Sequence, residues 1–147
     1  MNDEEKRLPL APSRRGLCRM ACAVGLGALG SCGDPSVDVP TGPIAAGSAK
    51  DLAVGTLRLA NYVAVGRDAG GIYAMSAVCT HAGCPTRAAT EGLFCACHGS
   101  LFDKNGEVLR GPARAALPHF AVEVAADGSI TVQAGMIVPA DTRVSGE

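Results

Sequence analysis

The sequence predicts an all-β domain, a small antiparallel β-sandwich or barrel, flanked by a leader and a tail. Three observations predict it. Between residues 51 and 134 the apolar residues fall in short alternating or clustered runs, the pattern of strands. Gly-rich turn signals separate those runs. No stretch of this region carries apolar residues at helical spacing, so a helical or mixed fold has no support. At 147 residues the chain has room for one domain and its appendages. Trp is absent, so a core must come mainly from aliphatic side chains. The formal net charge of −1 gives no electrostatic reason to expect a nucleic-acid partner. No internal repeat is visible.

Residues 1–32 read as an export signal. Residues 1–19 hold five basic and three acidic side chains, and a weakly apolar, Gly-rich run follows over 20–29. A basic start with about ten apolar residues after it is a secretory pattern, because a spanning helix needs roughly 20. Ser13-Arg14-Arg15-Gly16-Leu17 resembles the twin-arginine export motif, a route for proteins already folded around a cofactor. Leu29-Gly30-Ser31-Cys32 resembles the lipobox of bacterial lipoproteins, which makes Cys32 the expected lipidation site. Cys18 and Cys22 then precede the cleavage point. Residues 33–50 are rich in Gly, Pro, Ser and Asp and are expected to form a flexible tether.

The strands follow in order. Apolar runs at 56–60 and 62–66 predict the first two. Asp68-Ala69-Gly70-Gly71 is a turn, and 72–78 is the next strand. A short strand is expected over 93–96. Lys104-Asn105-Gly106 is a hairpin signal. Phe120, Val122 and Val124 share one strand face. Ala126-Asp127-Gly128 turns the chain, and Ile130 and Val132 return it. Residues 135–147 are expected to be a loose tail.

Seven cysteines are many for this length, and four of them fall in two compact segments. Cys79-Thr80-His81-Ala82-Gly83-Cys84 is the first, and Cys95-Ala96-Cys97-His98-Gly99-Ser100 the second. Each offers a Cys and a His at short spacing, with thirteen residues between His81 and Cys95. Two hairpin loops of that size can face each other across one metal centre. Thiolate and imidazole together suit an iron–sulfur cluster, and they also suit structural zinc. A framework of disulfides and a Cys-Ala-Cys redox dithiol are further readings. Zinc leaves two regularly placed cysteines unexplained, and disulfides alone leave both histidines so. His119, the third His, reads as a packing or surface residue.

The two segments closely resemble the cluster-binding boxes of high-potential Rieske proteins, found in quinol-oxidising cytochrome complexes and in the small subunits of arsenite oxidases. The resemblance runs over about 78–132 and includes Gly111-Pro112-Ala113, which looks like the family's proline-containing third loop. It implies a 2Fe-2S cluster held between two loops, one per chain. Cys79 and Cys95 would bind one iron, and His81 and His98 the other. Cys84 and Cys97 would form a disulfide, and the Ser100 hydroxyl would donate to a bridging sulfide. Two ferric ions and two sulfides carry two positive charges, so two thiolates make the site neutral where four would leave a dianion. A neutral site accepts an electron more readily, hence the family's range of about −150 to +300 mV against about −400 mV for plant-type ferredoxins.

The resemblance implies one-electron transfer on the outer side of a bacterial membrane, by a subunit or partner of a respiratory oxidoreductase. The expected partner is a redox protein: a cytochrome complex, a c-type cytochrome or a molybdenum oxidase subunit. Anchoring is expected through the lipid or signal. Cytochrome-complex members usually carry Tyr two residues after the Ser of the second box, whereas this chain has Phe102. Phe there also occurs in arsenite-oxidase-like members, which makes such a molybdenum enzyme's small subunit the alternative. A ferredoxin feeding a ring-hydroxylating oxygenase is a third reading, disfavoured by the disulfide pair and the export signal.

Overall fold

Residues 36–146 are described by a computed structural model. They form ten strands and one short 3-10 turn, with no α-helix among them. Accordingly, no helix of the described residues is long and apolar enough to cross a membrane. The strands are β1 (Gly42–Ser48), β2 (Leu57–Ala60), β3 (Val63–Asp68), β4 (Gly71–Ser76), β5 (Thr86–Ala88), β6 (Gly92–Cys95), β7 (Leu101–Asp103), β8 (Val108–Arg110), β9 (His119–Val124) and β10 (Ser129–Val138). They make two antiparallel sheets. The larger has the order β1-β10-β9-β4-β3-β2, and the smaller β5-β6-β7-β8. The expected all-β antiparallel architecture is therefore the one observed.

The smaller sheet is an insertion between β4 and β9, and β3 and β4 support it. Both strands are buried on both faces, because successive side chains of a strand point to opposite sides. Val63, Val65, Ile72 and Ala74 enter one core with Ile44, Phe120, Ile130 and Val132. Ala64 and Met75 enter a second core with Leu93, Phe102, Leu117, Cys79, Cys84 and Cys95. The cysteines of the two boxes thus lie in the apolar layer that joins the two sheets. Tyr73 points the same way as Met75, and its hydroxyl donates to the Lys104 carbonyl at 2.7 Å.

The β7–β8 turn is the expected hairpin. Gly106 takes φ +83, where a side chain is strained. The Asp103 carboxylate accepts from the N–H groups of Asn105 and Glu107 at 2.8 and 2.9 Å. His119 packs inside: it is 3% exposed, stacks on Tyr73, and its Nε2 donates to the Asn105 carbonyl at 2.8 Å. A carbonyl can only accept, so the proton sits on Nε2.

Two expectations are corrected. The tether was expected to reach residue 50, yet β1 occupies Gly42–Ser48 and pairs with β10 from Gly42↔Ala134 onward. Ile44 and Ala46 alternate inward there; the Gly-Pro-Ala composition hides an edge strand, a place where Pro is tolerated. The tail from 135 is also built in. β10 continues to Val138 across a bulge, with Ile137 opposite Phe120. Val144 exchanges two backbone hydrogen bonds with Ile72, at 2.8 and 2.9 Å. Arg143 pairs with Asp68 at 2.7 Å, and its Nη2 donates to Asn105 Oδ1 at 2.8 Å. Strand β5 was not foreseen. The export motif, Cys18, Cys22 and the lipidation candidate Cys32 lie outside the described residues.

Candidate metal centre

The two boxes are built alike. In the first, between β4 and β5, the Cys79 N–H donates to the Cys84 carbonyl at 2.8 Å, and Gly83 donates back to the Cys79 carbonyl at 2.9 Å. In the second, between β6 and β7, Cys95 donates to the Ser100 carbonyl at 2.9 Å and Gly99 to the Cys95 carbonyl at 3.0 Å. The spacings are identical: five residues forward from the Cys, four residues back to it. Each ring closes on a glycine in the left-handed region, Gly83 at φ +74 and Gly99 at φ +83. That is the physical reason for a Gly in each box.

The rings bring the expected donors together. Cys79 and Cys95 are free, and they are 2% and 1% exposed. Nδ1 of His81 lies 3.3 Å from Nδ1 of His98, with the rings nearly perpendicular. Both histidines are exposed. The site thus has a buried sulfur side and an exposed nitrogen side. Two imidazole nitrogens bound to one tetrahedral metal at about 2.0–2.1 Å each stand about 3.3–3.4 Å apart. The observed separation matches, so the residues fit a metal held between the two rings.

Cys84 and Cys97 form a disulfide that joins the boxes. The sulfurs of Cys84, Cys95 and Cys97 lie within 4.8 Å of one another. Two of these three are already bonded together and offer no thiolate, so that grouping is not a ligand set. Burial, the largest cause, pushes the Cys95 thiol above its ordinary pKa. The N–H groups of Cys97 and His98 oppose it, and the adjacent Cys79 side chain adds to the rise. Coordination to a metal would remove the thiol proton outright, and the same N–H groups would then face an electron-rich sulfur.

The third loop covers the boxes. It contains a cis Gly111–Pro112 peptide. The Ala113 N–H donates to Ser100 Oγ at 3.0 Å, and Thr80 Oγ1 donates to the Ala115 carbonyl at 2.6 Å. A cavity of about 350 Å³ opens beside His81, lined by Thr80, His81, Pro112 and Arg114. Phe102 is fully buried in the core beneath the boxes. Sequence reasoning did not single out Thr80, Arg110 or Arg114. Their partners are backbone carbonyls or the cavity wall, and nothing in the sequence marks them.

Comparison with known proteins places these features. The family model described as the Rieske 2Fe-2S domain matches residues 42–121. The cytochrome b6-f complex iron-sulfur subunit 1 of the Cyanophora paradoxa cyanelle is 43% identical over 63 residues, covering 42% of this chain and 26% of that protein. The chain therefore spans about a quarter of that relative's length. The crystal structure of the cyanobacterial plasma membrane Rieske protein PetC3 from Synechocystis PCC 6803 aligns with a TM-score of 0.51 and 32% identity, covering 60% of this chain and 96% of that one. A chain from the complex of reduced oxygenase and oxidized ferredoxin in carbazole 1,9a-dioxygenase aligns at 0.50 and 27% identity, over 68% and 99%.

Proposed function

The chain belongs to the Rieske 2Fe-2S domain family, and from that membership we propose that Cys79 and Cys95 hold one iron of its cluster and His81 and His98 the other. The observation that carries the assignment is the pair of opposed imidazole nitrogens, 3.3 Å apart, together with two free buried thiols in the same two boxes. The cluster supplies one-electron chemistry. The chain's own residues do the rest. The disulfide holds the two boxes against each other. Ser100 accepts from Ala113, so its hydroxyl proton would be free to donate to the cluster. The thiols sit in the dry layer between the sheets, where water is excluded. The histidines stand at the surface, where their ring edges would offer the electron its path between the cluster and a partner.

Electron transfer is set, in this reading, on the outer side of a bacterial membrane, in or beside a respiratory oxidoreductase complex. The twin-arginine-like leader and the disulfide, which needs an oxidising compartment, support that location. The likeness to a cytochrome b6-f subunit and to a plasma membrane Rieske protein supports the partner class. Lipid on Cys32 would tether the domain. Phe102 favours a second reading, a small subunit of an arsenite-oxidase-like molybdenum enzyme. The disulfide argues against an oxygenase-feeding ferredoxin. Membrane fractions of the source cells test the reading. A one-electron Rieske couple should be found there, on a chain whose mature N-terminus is an acylated Cys32. A cytoplasmic chain that retains Met1 contradicts it.

A further inference from the structure

Charge is segregated along the smaller sheet. Its register sets Arg87 opposite Phe94, Phe94 opposite Leu101, and Leu101 opposite Arg110. Directly opposed residues of antiparallel strands share a face. The guanidinium groups of Arg87 and Arg110 accordingly lie 4.9 and 6.0 Å from the Phe94 ring centre. This row is one residue from Cys95. Arg110 also donates to the Gly99 carbonyl at 3.1 Å, which holds its charge against the second box. Arg114 lines the cavity beside His81. All three arginines are exposed, and among the described residues none is in an ion pair. Among the described residues, the Asp38 carboxylate follows Val37, whose N–H donates to the Gly83 carbonyl of the first box.

The other end of the sheet is acidic. Asp103 stands opposite Gly92, Glu91 precedes Gly92, and Glu107 precedes Val108. Lys104 shares that turn and sends its ammonium to the Gly55 carbonyl. The two ends are about 7 Å apart along the strands, inside the ~8 Å screening length at physiological salt, so the acidic end is only partly screened from the basic one. A surface that touches the histidine end meets the arginines first.

We propose that this basic end is the docking face for a redox partner whose own electron-exchange surface is acidic. The inference rests on the electron-transfer reading above and adds the charge of the partner. It does not follow from net charge. The described residues hold eight Lys and Arg against nine Asp and Glu, which would favour a basic partner. The local arrangement reverses that sign, because steering is governed by the field at the contact.

Small redox ions test it on the full-length protein, loaded with iron and sulfide and then reduced. Oxidation by anionic ferricyanide should slow several-fold, on the order of three- to tenfold, as salt rises from about 10 to about 200 mM. Oxidation by cationic tris(phenanthroline)cobalt(III) should quicken. The combined Arg87→Gln, Arg110→Gln and Arg114→Gln variant should lose the ferricyanide slope, and Glu91→Gln with Glu107→Gln should keep it. A loaded protein whose ferricyanide rate is flat or rises with salt overturns the proposal alone, as does a slope that survives in the arginine variant. Arginine-dependent binding to phosphatidylglycerol vesicles, with oxidation rates that ignore the arginines, assigns the patch to lipid and overturns it too. A protein that takes up no iron and sulfide overturns the electron-transfer reading and this proposal with it.

Discussion

The backbone N–H of Ala113 donates to Ser100 Oγ at 3.0 Å, and both residues are buried. One hydroxyl thereby joins the third loop to the second box and still has a proton to give. Ser100→Ala should cost about 1–3 kcal/mol of stability, since it strands a buried N–H. It should also lower the potential by some tens of millivolts, because a donor to the cluster favours the reduced form. Denaturant titration and redox titration read the two effects separately. An unchanged potential alongside the stability loss would show that the hydroxyl serves only the loop.

Phe102→Tyr works in the opposite direction. The ring is fully buried in the core that also holds Cys79 and Cys95. A Tyr hydroxyl there would donate to a cysteine sulfur of the site and favour the electron-rich state. About 1 kcal/mol of differential stabilisation corresponds to roughly 40 mV for one electron, since tenfold is about 59 mV. The variant should therefore sit some tens of millivolts higher with normal iron content. A lowered potential would mean that the para position points away from the sulfurs.

The Cys84–Cys97 disulfide closes a loop with a sequence separation of 13, worth about 3 kcal/mol in the chain-entropy model. Replacing both cysteines by serine should cost about that much. It should also speed iron loss, because nothing covalent then holds the boxes together. Equal unfolding midpoints for the two proteins would contradict the role given to the bond.

Acid should loosen the C-terminal strap. Burial works against the charged form of Asp68, but the Arg143 guanidinium and the Gly70 and Gly71 N–H groups outweigh it and hold the pKa below the usual value. A depressed pKa contributes stability above the unfolded value of about 3.9, and loses it as pH falls through the folded one. The Asp68 side chain is 41% exposed, so the contribution should stay under about 1 kcal/mol. Asp68→Asn should remove that part of the acid dependence and leave stability at neutral pH lower by the same amount. An acid limb of equal slope in wild type and variant would contradict the assignment.

The chemistry of this chain was legible because it depends on residue type at fixed spacing. Cys79, His81, Cys95 and His98 stand in two short segments, and a six-residue ring needs no distant partner to form. Most strands were legible for a similar reason: Val63 to Gly66 and Phe120 to Val124 carry their burial in their own pattern. β1 was not, because Ile44 and Ala46 sit among Gly, Pro and Ala, and only pairing with β10 makes them a strand. The ordered C-terminus was hidden too. Val144 and Arg143 are held by Ile72 and Asp68, and no local pattern records a contact of that sequence range. The arginine row is a product of register, which a sequence shows only once the pairing is known.

Iron and acid-labile sulfide analysis with EPR of the reduced protein tests the central claim most directly. Wild type should hold about two irons and two sulfides per chain and give a Rieske-type signal. His81→Ala and His98→Ala should each abolish that signal. Stoichiometric zinc in place of iron after expression in iron-replete cells, or a Rieske signal that survives either substitution, would contradict the ligand assignment.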